Sequence, residues 1–330
     1  MMEPITIFGQ PLPHPAYRYA PGLWVITAYY NPAGYRTRRR NYEIFAALLR
    51  SSGIPLLTVE CAFDDQPYDL PETRGTVRVR GSSVLWQKER LLNLAVSWLP
   101  ASCRYVAWLD CDLVFADPDW AGRTAALLEQ VPMVQVFETC LRLPRDYATA
   151  TGGGDPCGSF AAVMERTPQL LRTGRFEDHG HTGYGWAARR ELLDRHGLYE
   201  YAIGGSADHY MAHAAMGDIG SPCIERMMLR KPELLGHFRD WAEPFHASVR
   251  GAVKVVPGQV RHLWHGDLAD RKYSLRHVEL AEIGYNPYCD LVAAPGRPLE
   301  FRDDPEKRRL VEWFRSYFAS RREDGALNPA

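Results

Sequence analysis

Residues 105–115 read Tyr-Val-Ala-Trp-Leu-Asp-Cys-Asp-Leu-Val-Phe, and this stretch decides the fold. Its apolar residues run unbroken to Leu109 after the breaker Pro100-Ala-Ser, the pattern of a strand buried on both faces of an α/β sheet. Asp110 closes the run, and Asp112 follows before the apolar pattern resumes. On an extended chain, side chains at i and i+2 point the same way, so the two carboxylates can share one cation. In open α/β sheets the ligand crevice lies beyond the carboxyl ends of the strands, where this pair sits. Asp110 and Asp112 are therefore a candidate metal site.

Working outward, Trp24-Val-Ile-Thr-Ala-Tyr-Tyr reads as a first strand, ended by Asn31-Pro-Ala-Gly. Arg36-Thr-Arg-Arg-Arg-Asn opens a helix over 42–50, with Tyr42, Phe45, Ala46 and Leu49 at helical spacing. Ser51-Ser-Gly stops it, and residues 54–60 form the second strand, which predicts a parallel pair with a right-handed crossover. Thr76-Val-Arg-Val-Arg alternates like a short strand, and residues 84–99 make a strong amphipathic helix. Beyond the aspartate pair come a helix over 119–130 and a strand over 133–137. Thr149 to Ser159 has the composition of a mobile loop. The alternation then weakens. His181-Thr-Gly-Tyr-Gly-Trp-Ala-Ala leads into a helix over 189–196, and Gly204-Gly-Ser-Ala-Asp-His introduces another over 210–216. Segments at 253–256, 259–265 and 271–283 follow, then an amphipathic helix from Pro305 to Ser320.

With 330 residues the chain can bury a substantial core. Its 39 basic and 40 acidic residues leave a formal charge of −1, so charge gives no pull towards nucleic acid or an anionic membrane. No apolar run approaches the ~20 residues of a membrane helix, and the N-terminus lacks the basic and apolar regions of a secretory signal. Seven cysteines form no pair at metal-finger or redox spacing, which fits a reduced, cytoplasmic protein.

The opening strand and helix, the aspartate pair after Trp108-Leu, Gly204-Gly-Ser-Ala-Asp-His and Arg261-His-Leu-Trp-His-Gly occur in an order that resembles the GT-A-fold glycosyltransferases, in particular the family 2-like and galactosyltransferase-like types of bacteria and phages. The resemblance covers residues 23 to about 275. It implies a GT-A (Rossmann-like) α/β fold, a mixed, mostly parallel sheet flanked by helices with an irregular C-terminal acceptor half. The expected organisation is an extended lead-in over 1–22 and one catalytic domain over 23–290. That domain has a nucleotide-binding half of about 23–140 and an acceptor half of about 141–290, and a C-terminal extension with a helix follows over 291–330.

The resemblance also implies roles. Asp112 would bind Mn²⁺ or Mg²⁺ directly, with Asp110 on the ribose or on the metal through water. A late histidine, His262 or His265, would complete the metal site. If 261–266 is extended, i and i+3 face opposite ways and only one can reach the ion; Gly266 and the nearby Arg271 and Lys272 favour His265. Thr27, Tyr29, Glu60, Lys88 and Asn93 are candidate contacts to the nucleotide, for which a UDP-sugar is the favoured donor. Arg36, Arg38, Arg39 and Arg40 read better as the charged first turn of a surface helix. Asp208 corresponds to the base that deprotonates the acceptor hydroxyl in inverting relatives. Tyr184, Trp186, Gly204, Gly205 and His209 are assigned to the acceptor side; His209 and His213 at i and i+4 could pinch a metal, but with no glutamate after His209 as in zinc proteases they read as structural or acceptor-side. The implied activity is metal-dependent transfer of a hexose or hexosamine to a glycan, lipid-linked or small-molecule hydroxyl, any lipid-linked acceptor being met peripherally. A sugar-nucleotide nucleotidyltransferase would need a glycine-rich loop after strand one, where only Gly34 stands; an inactive GT-A module that binds glycans or partners is the third reading.

Overall fold

A computed structural model describes residues 5–12, 16–273, 275–303 and 307–325. Parts of three expected segments, the lead-in around Pro4, Pro13 and Pro15, the 271–283 stretch at Ser274 and the final helix at Pro305, lie outside the described residues.

The central sheet has seven strands: β1 (Leu23–Tyr30), β2 (Leu56–Phe63), β3 (Thr76–Gly81), β4 (Tyr105–Leu109), β6 (Met133–Gln135), β9 (Gly185–Arg189) and β10 (Val253–Val255). Their order is β10-β6-β9-β4-β1-β2-β3. β1, β2, β3 and β4 are mutually parallel, as is the β6–β10 pair, while β9 runs antiparallel to both neighbours. This is the mixed, mostly parallel sheet flanked by helices that the sequence predicts. Every residue of β2 and β4 is buried, the expected consequence of helices covering both faces.

A second sheet lies beside it, built from β5 (Leu113–Phe115), β7 (Thr139–Arg142), β8 (Asp155–Gly158) and β11 (Gln259–His262) in the order β8-β7-β11-β5. In the β5–β11 register His262 faces Leu113, and the Leu263 amide donates to the Asp112 carbonyl at 2.9 Å. This pairing carries the late histidines to the end of β4. β8 replaces part of the expected mobile loop: Asp155–Gly158 pairs with β7, and Ser159 caps helix α4 (Phe160–Arg166) by accepting from the Ala162 amide. Only the ladder, invisible to composition, distinguishes these residues from a loop.

Helix α1 (Arg36–Ser51) buries Tyr42, Phe45, Ala46 and Leu49, the face that the periodicity predicts. Its N-terminus has no local cap. Instead the Asp324 carboxylate accepts from the Arg36 and Thr37 amides at 3.1 and 2.7 Å, supplying from the far end of the chain the anion that a helix start favours. Helix α2 (Lys88–Trp98) begins four residues later than expected, because the Gln87 side chain is spent on the Leu299 amide. The remaining helices are α3 (Trp120–Leu128), α5 (Arg190–His196), α6 (Ala207–Met216), α7 (Pro222–Met227), α8 (Pro232–Val249), α9 (Leu275–Ile283) and α10 (Arg308–Ser320).

Several elements have no counterpart in the sequence reading, β9 and α8 among them. β9, Gly-Trp-Ala-Ala-Arg, resembles a helix entry by composition, but burial between β4 and β6 overrides that preference. Gly185 is required there, since a Cβ would lie 2.6 Å from Leu109 Cδ2 and 2.8 Å from Val136 Cγ2. α8 carries an internal Pro244 and survives through its tertiary face of Phe238, Ala242, Phe245 and Val249. The lead-in is more than an extended arm: Thr6–Ile7 pairs with Gln10–Pro11, and Tyr17 is buried beside Phe115 and Trp120. No helix among the described residues is long and apolar enough to cross a membrane.

Candidate active-site cleft

A cleft of about 1080 Å³ opens beyond the carboxyl end of β4, floored by Asp110, Cys111 and Asp112. Its wall is formed by Lys88 at the start of α2, the 181–184 turn, Asp208 at the start of α6, and Arg271 and Arg276.

Asp112 Oδ2 stands 3.0 Å from His265 Nε2 and 3.7 Å from His262 Nε2, and the two imidazole nitrogens are 3.1 Å apart. Both histidines therefore reach the aspartate, which corrects the expectation that only one can. β11 ends at His262, so His265 lies outside the paired strand to which the alternation applies. Arg271 Nη2 lies 2.9 Å from the same His265 Nε2. If that nitrogen is bare, it opposes the Asp112 carboxylate; if protonated, it opposes the Arg271 guanidinium. A cation between Asp112 and the two imidazoles removes the conflict. The donor set fits one, since the three ligand atoms lie within 4.8 Å of one another and Asp112 Oδ1 is buried with no hydrogen-bond partner. Burial alone would raise the Asp112 pKa, but His262, His265 and Arg271 outweigh it and hold the group far below the carboxylate range. Burial pushes His262 well below its ordinary value, keeping it neutral as a ligand must be. Glu323, 2% exposed, comes within 3.7 Å of His265 Nδ1 from behind, the outer carboxylate that metal-binding histidines usually have.

Asp110 does not join this trio. Its carboxylate pairs with Lys88 Nζ, and its amide donates to the Tyr184 carbonyl at 2.8 Å. Desolvation raises its pKa against the pull of Lys88, with Asp112 and Asp208 adding to the rise. Lys88 is held charged: burial would lower its pKa, but Asp110 and Asp208 together raise it above the lysine range. Asp110 and Asp208 thus both act on this lysine, and Asp110 is the one paired with it.

The cleft is rich in guanidinium groups. Arg38, Arg271 and Arg276 each keep a buried Nε–H without an acceptor among the described residues. Arg276 otherwise donates to Tyr317 Oη and Ser206 Oγ at 3.1 and 2.8 Å, and Arg321 to Glu323 at 2.6 Å. Arg321 and Glu323 follow α10, so the C-terminal segment forms part of this wall. Tyr184 holds a positive φ of 75°, stacks on His181 at 3.9 Å and accepts from Arg142 through its hydroxyl. A bulky residue at such a φ is strained, a condition found mainly at functional sites.

The cleft thus gathers Lys88, Asp110, Asp112, Tyr184, Asp208, His262, His265 and Arg271. Other expected contacts are placed elsewhere. Thr27 is fully buried and bonds the Leu109 carbonyl at 2.7 Å, fastening β1 to β4. Tyr29 faces the opposite side of β1 and donates to Asp69; Tyr30, one residue on, borders the cleft. Glu60 accepts the Asp69 and Leu70 amides at 2.6 and 3.0 Å, organising a loop. Asn93 ties α2 to Leu198 and Glu200, and Lys272 is exposed outside the cleft. Trp186 is core, its indole N–H bonded to the Thr182 carbonyl. Gly204 and Gly205 make room for α9 rather than a sugar: their Cβ atoms would meet Leu280 at 2.8 Å and Arg276 at 3.0 Å. His209 borders the cleft, but its Nε2 is 3.1 Å from the buried Cys223 Sγ.

Arg276, Arg321 and Glu323 carried no sequence signal, since nothing local ties them to the aspartates. Arg38 had one, a single partly buried arginine in the Arg36–Arg40 run, 17% exposed and lying over the Tyr30 ring.

His181 and His277 are buried neutral, pushed down to about 4 and about 3 by desolvation. In the unfolded chain both would protonate below about pH 6.5. The unfolded state then binds more protons, so stability falls as pH drops from there towards 4. At pH 5 each histidine is expected to cost about 2 kcal/mol relative to pH 7, read as a lower urea midpoint; a midpoint flat across this window would show that the two are not held neutral.

No family model and no curated protein matches the sequence. Among solved structures, the chain is similar to the catalytic domain of Drosophila β1,4-galactosyltransferase 7 in complex with xylobiose, at 9% identity over 90% of this chain and 98% of that one, TM-score 0.37. It is also similar to mannosyl-3-phosphoglycerate synthase from Rubrobacter xylanophilus, at 16% identity over 86% of each chain, TM-score 0.39. A third is glucosyl-3-phosphoglycerate synthase from Mycobacterium tuberculosis with Mn²⁺, UDP-glucose and phosphoglyceric acid, at 15% identity over 84% of each chain, TM-score 0.38.

Proposed function

We propose that this chain is a metal-dependent glycosyltransferase that moves a hexosyl or hexosaminyl group from a nucleoside-diphosphate sugar, UDP-sugar favoured, to an acceptor hydroxyl with inversion. The observation that carries the reading is the convergence of Asp112, His262 and His265 in a cleft where three arginines keep buried N–H groups without acceptors. Unsatisfied buried donors of this kind call for anionic oxygen, and guanidinium suits phosphate. Asp112, His262 and His265 would hold the ion, a mixed oxygen and imidazole set that favours Mn²⁺ over Mg²⁺. A bound ion would act there as a Lewis acid on the charge of the departing diphosphate.

The chain's own residues supply the rest. Arg271, Arg276 and Lys88 bind and orient the diphosphate, and Lys88 also pairs with Asp110. Asp208 sits in the first turn of α6 on the same cleft, held against Gly183, where any side chain would strike its Oδ2 at 2.7 Å. There it can take the proton of the acceptor hydroxyl as that oxygen attacks the anomeric carbon. The bond to the leaving phosphate oxygen breaks with its electron pair going to the diphosphate, and one such displacement inverts the centre.

A panel of nucleoside diphosphates and their sugars, each with and without Mn²⁺, tests the proposal by thermal shift and by release of free diphosphate. One nucleotide is expected to raise Tm only with metal, with slow hydrolysis of its sugar releasing nucleoside diphosphate. Release of pyrophosphate, or stabilisation by no nucleotide, would overturn it.

A further inference from the structure

Behind the wall that carries Asp208, four side chains with metal-binding atoms meet in the core. His179 ends the single turn Phe176–His179, His209 and His213 stand one turn apart on α6, and Cys223 lies at the start of α7. All are essentially inaccessible: His179 and His213 are 0% exposed, His209 1% and Cys223 2%. Cys223 Sγ is 3.1 Å from His209 Nε2 and 3.6 Å from His213 Nε2, and His213 Nε2 is 3.2 Å from His179 Nδ1. One donor atom from each residue lies within 4.8 Å of all the others.

The tautomer of neutral His213 is set by its surroundings. Its Nδ1 is 2.9 Å from the Asp218 carboxylate, which can only accept, so a proton sits on Nδ1. The neutral ring then presents its Nε2 lone pair to the thiol and the second imidazole. A carboxylate fixing the tautomer of an imidazole from behind is the usual outer shell of a metal-binding histidine.

We propose that His179, His209, His213 and Cys223 bind a structural Zn²⁺ in tetrahedral Cys-His₃ coordination, a second metal site independent of the one at Asp112. One thiolate and three neutral imidazoles suit zinc, and four protein ligands leave no open position for chemistry. The thiolate and the Asp218 carboxylate together balance the two charges of the ion. Spacing rules pass over this set because its members are scattered across residues 179–223. The ion joins three short elements, the 176–179 turn, α6 and α7. Asp208 directly precedes His209, and Phe176, which borders the cleft, lies 4.9 Å from the His209 ring, so the ion also braces the acceptor wall.

The full chain, purified without added metal and dialysed against a mild chelator, is expected to keep one zinc per chain by elemental mass spectrometry. The Asp112→Ala variant is expected to keep it as well, and Cys223→Ser to lose it. Should Cys223→Ser fail to fold, cobalt exchanged into the wild-type chain gives the same information through the near-ultraviolet thiolate-to-cobalt band and the strong visible bands of a tetrahedral ion. Wild-type protein that folds without stoichiometric metal, or takes up cobalt without the thiolate band, would overturn the proposal and leave a hydrogen-bonded Cys–His cluster. Neither result tests the assignment of Asp112, His262 and His265, which form a separate cluster.

Discussion

Asp112→Ala is expected to lower sugar transfer by about three orders of magnitude, since a Lewis acid at a leaving group contributes several kcal/mol, while the circular dichroism spectrum stays native. The aspartate is the only carboxylate among the three residues that converge on the proposed ion, and its charge offsets the Arg271 guanidinium, which lies 2.9 Å from His265 Nε2. Without it the site keeps two imidazoles beside an arginine, an arrangement that repels a divalent cation. Calorimetric titration of UDP with and without Mn²⁺ separates the outcomes: in the variant, affinity should become metal-independent and weak. Metal-dependent affinity equal to that of the wild type would remove Asp112 from the ion.

Asp208→Asn is expected to reduce kcat by about 10²–10⁴-fold, the span typical of a lost general base, and to leave UDP affinity unchanged. Asparagine keeps the shape that fits against Gly183 and changes only the ability to take a proton. Lys88 remains paired with Asp110 in the variant, so the diphosphate contacts persist. Donor binding by calorimetry and transfer under saturating donor measure the two halves separately. Wild-type kcat in this variant would exclude a proton transfer to Asp208.

β1, β2 and β4 were legible because each is a largely apolar run, β3 because it alternates, and the aspartate pair because its spacing matches the period of a strand. What the sequence concealed has three physical causes. Position within a strand decides the face, so Tyr29 was named where Tyr30 borders the cleft, and Thr27 proved to be a fastener between strands. Departure from a strand is invisible until its partner is known, which is why His262 and His265 were set on opposite faces and yet meet. Contacts to other segments leave no local trace: Glu60 and Asn93 are polar residues at plausible places, but their hydrogen bonds go to residues 69–70 and 198–200. Gly204 and Gly205 show the same limit in reverse, since the close approach they permit is to α9.

Arg38 and Glu323, which together stand behind His265, are 285 positions apart. Closing a loop of that length costs about 5 kcal/mol in chain entropy before any contact forms, so the pair cannot meet until the intervening sheet has shortened the path. The order of assembly follows. On refolding, strand signal in circular dichroism is expected to recover before nucleotide binding. Full secondary structure is then no guarantee of a complete cleft, because one wall waits on a contact between segments 285 positions apart.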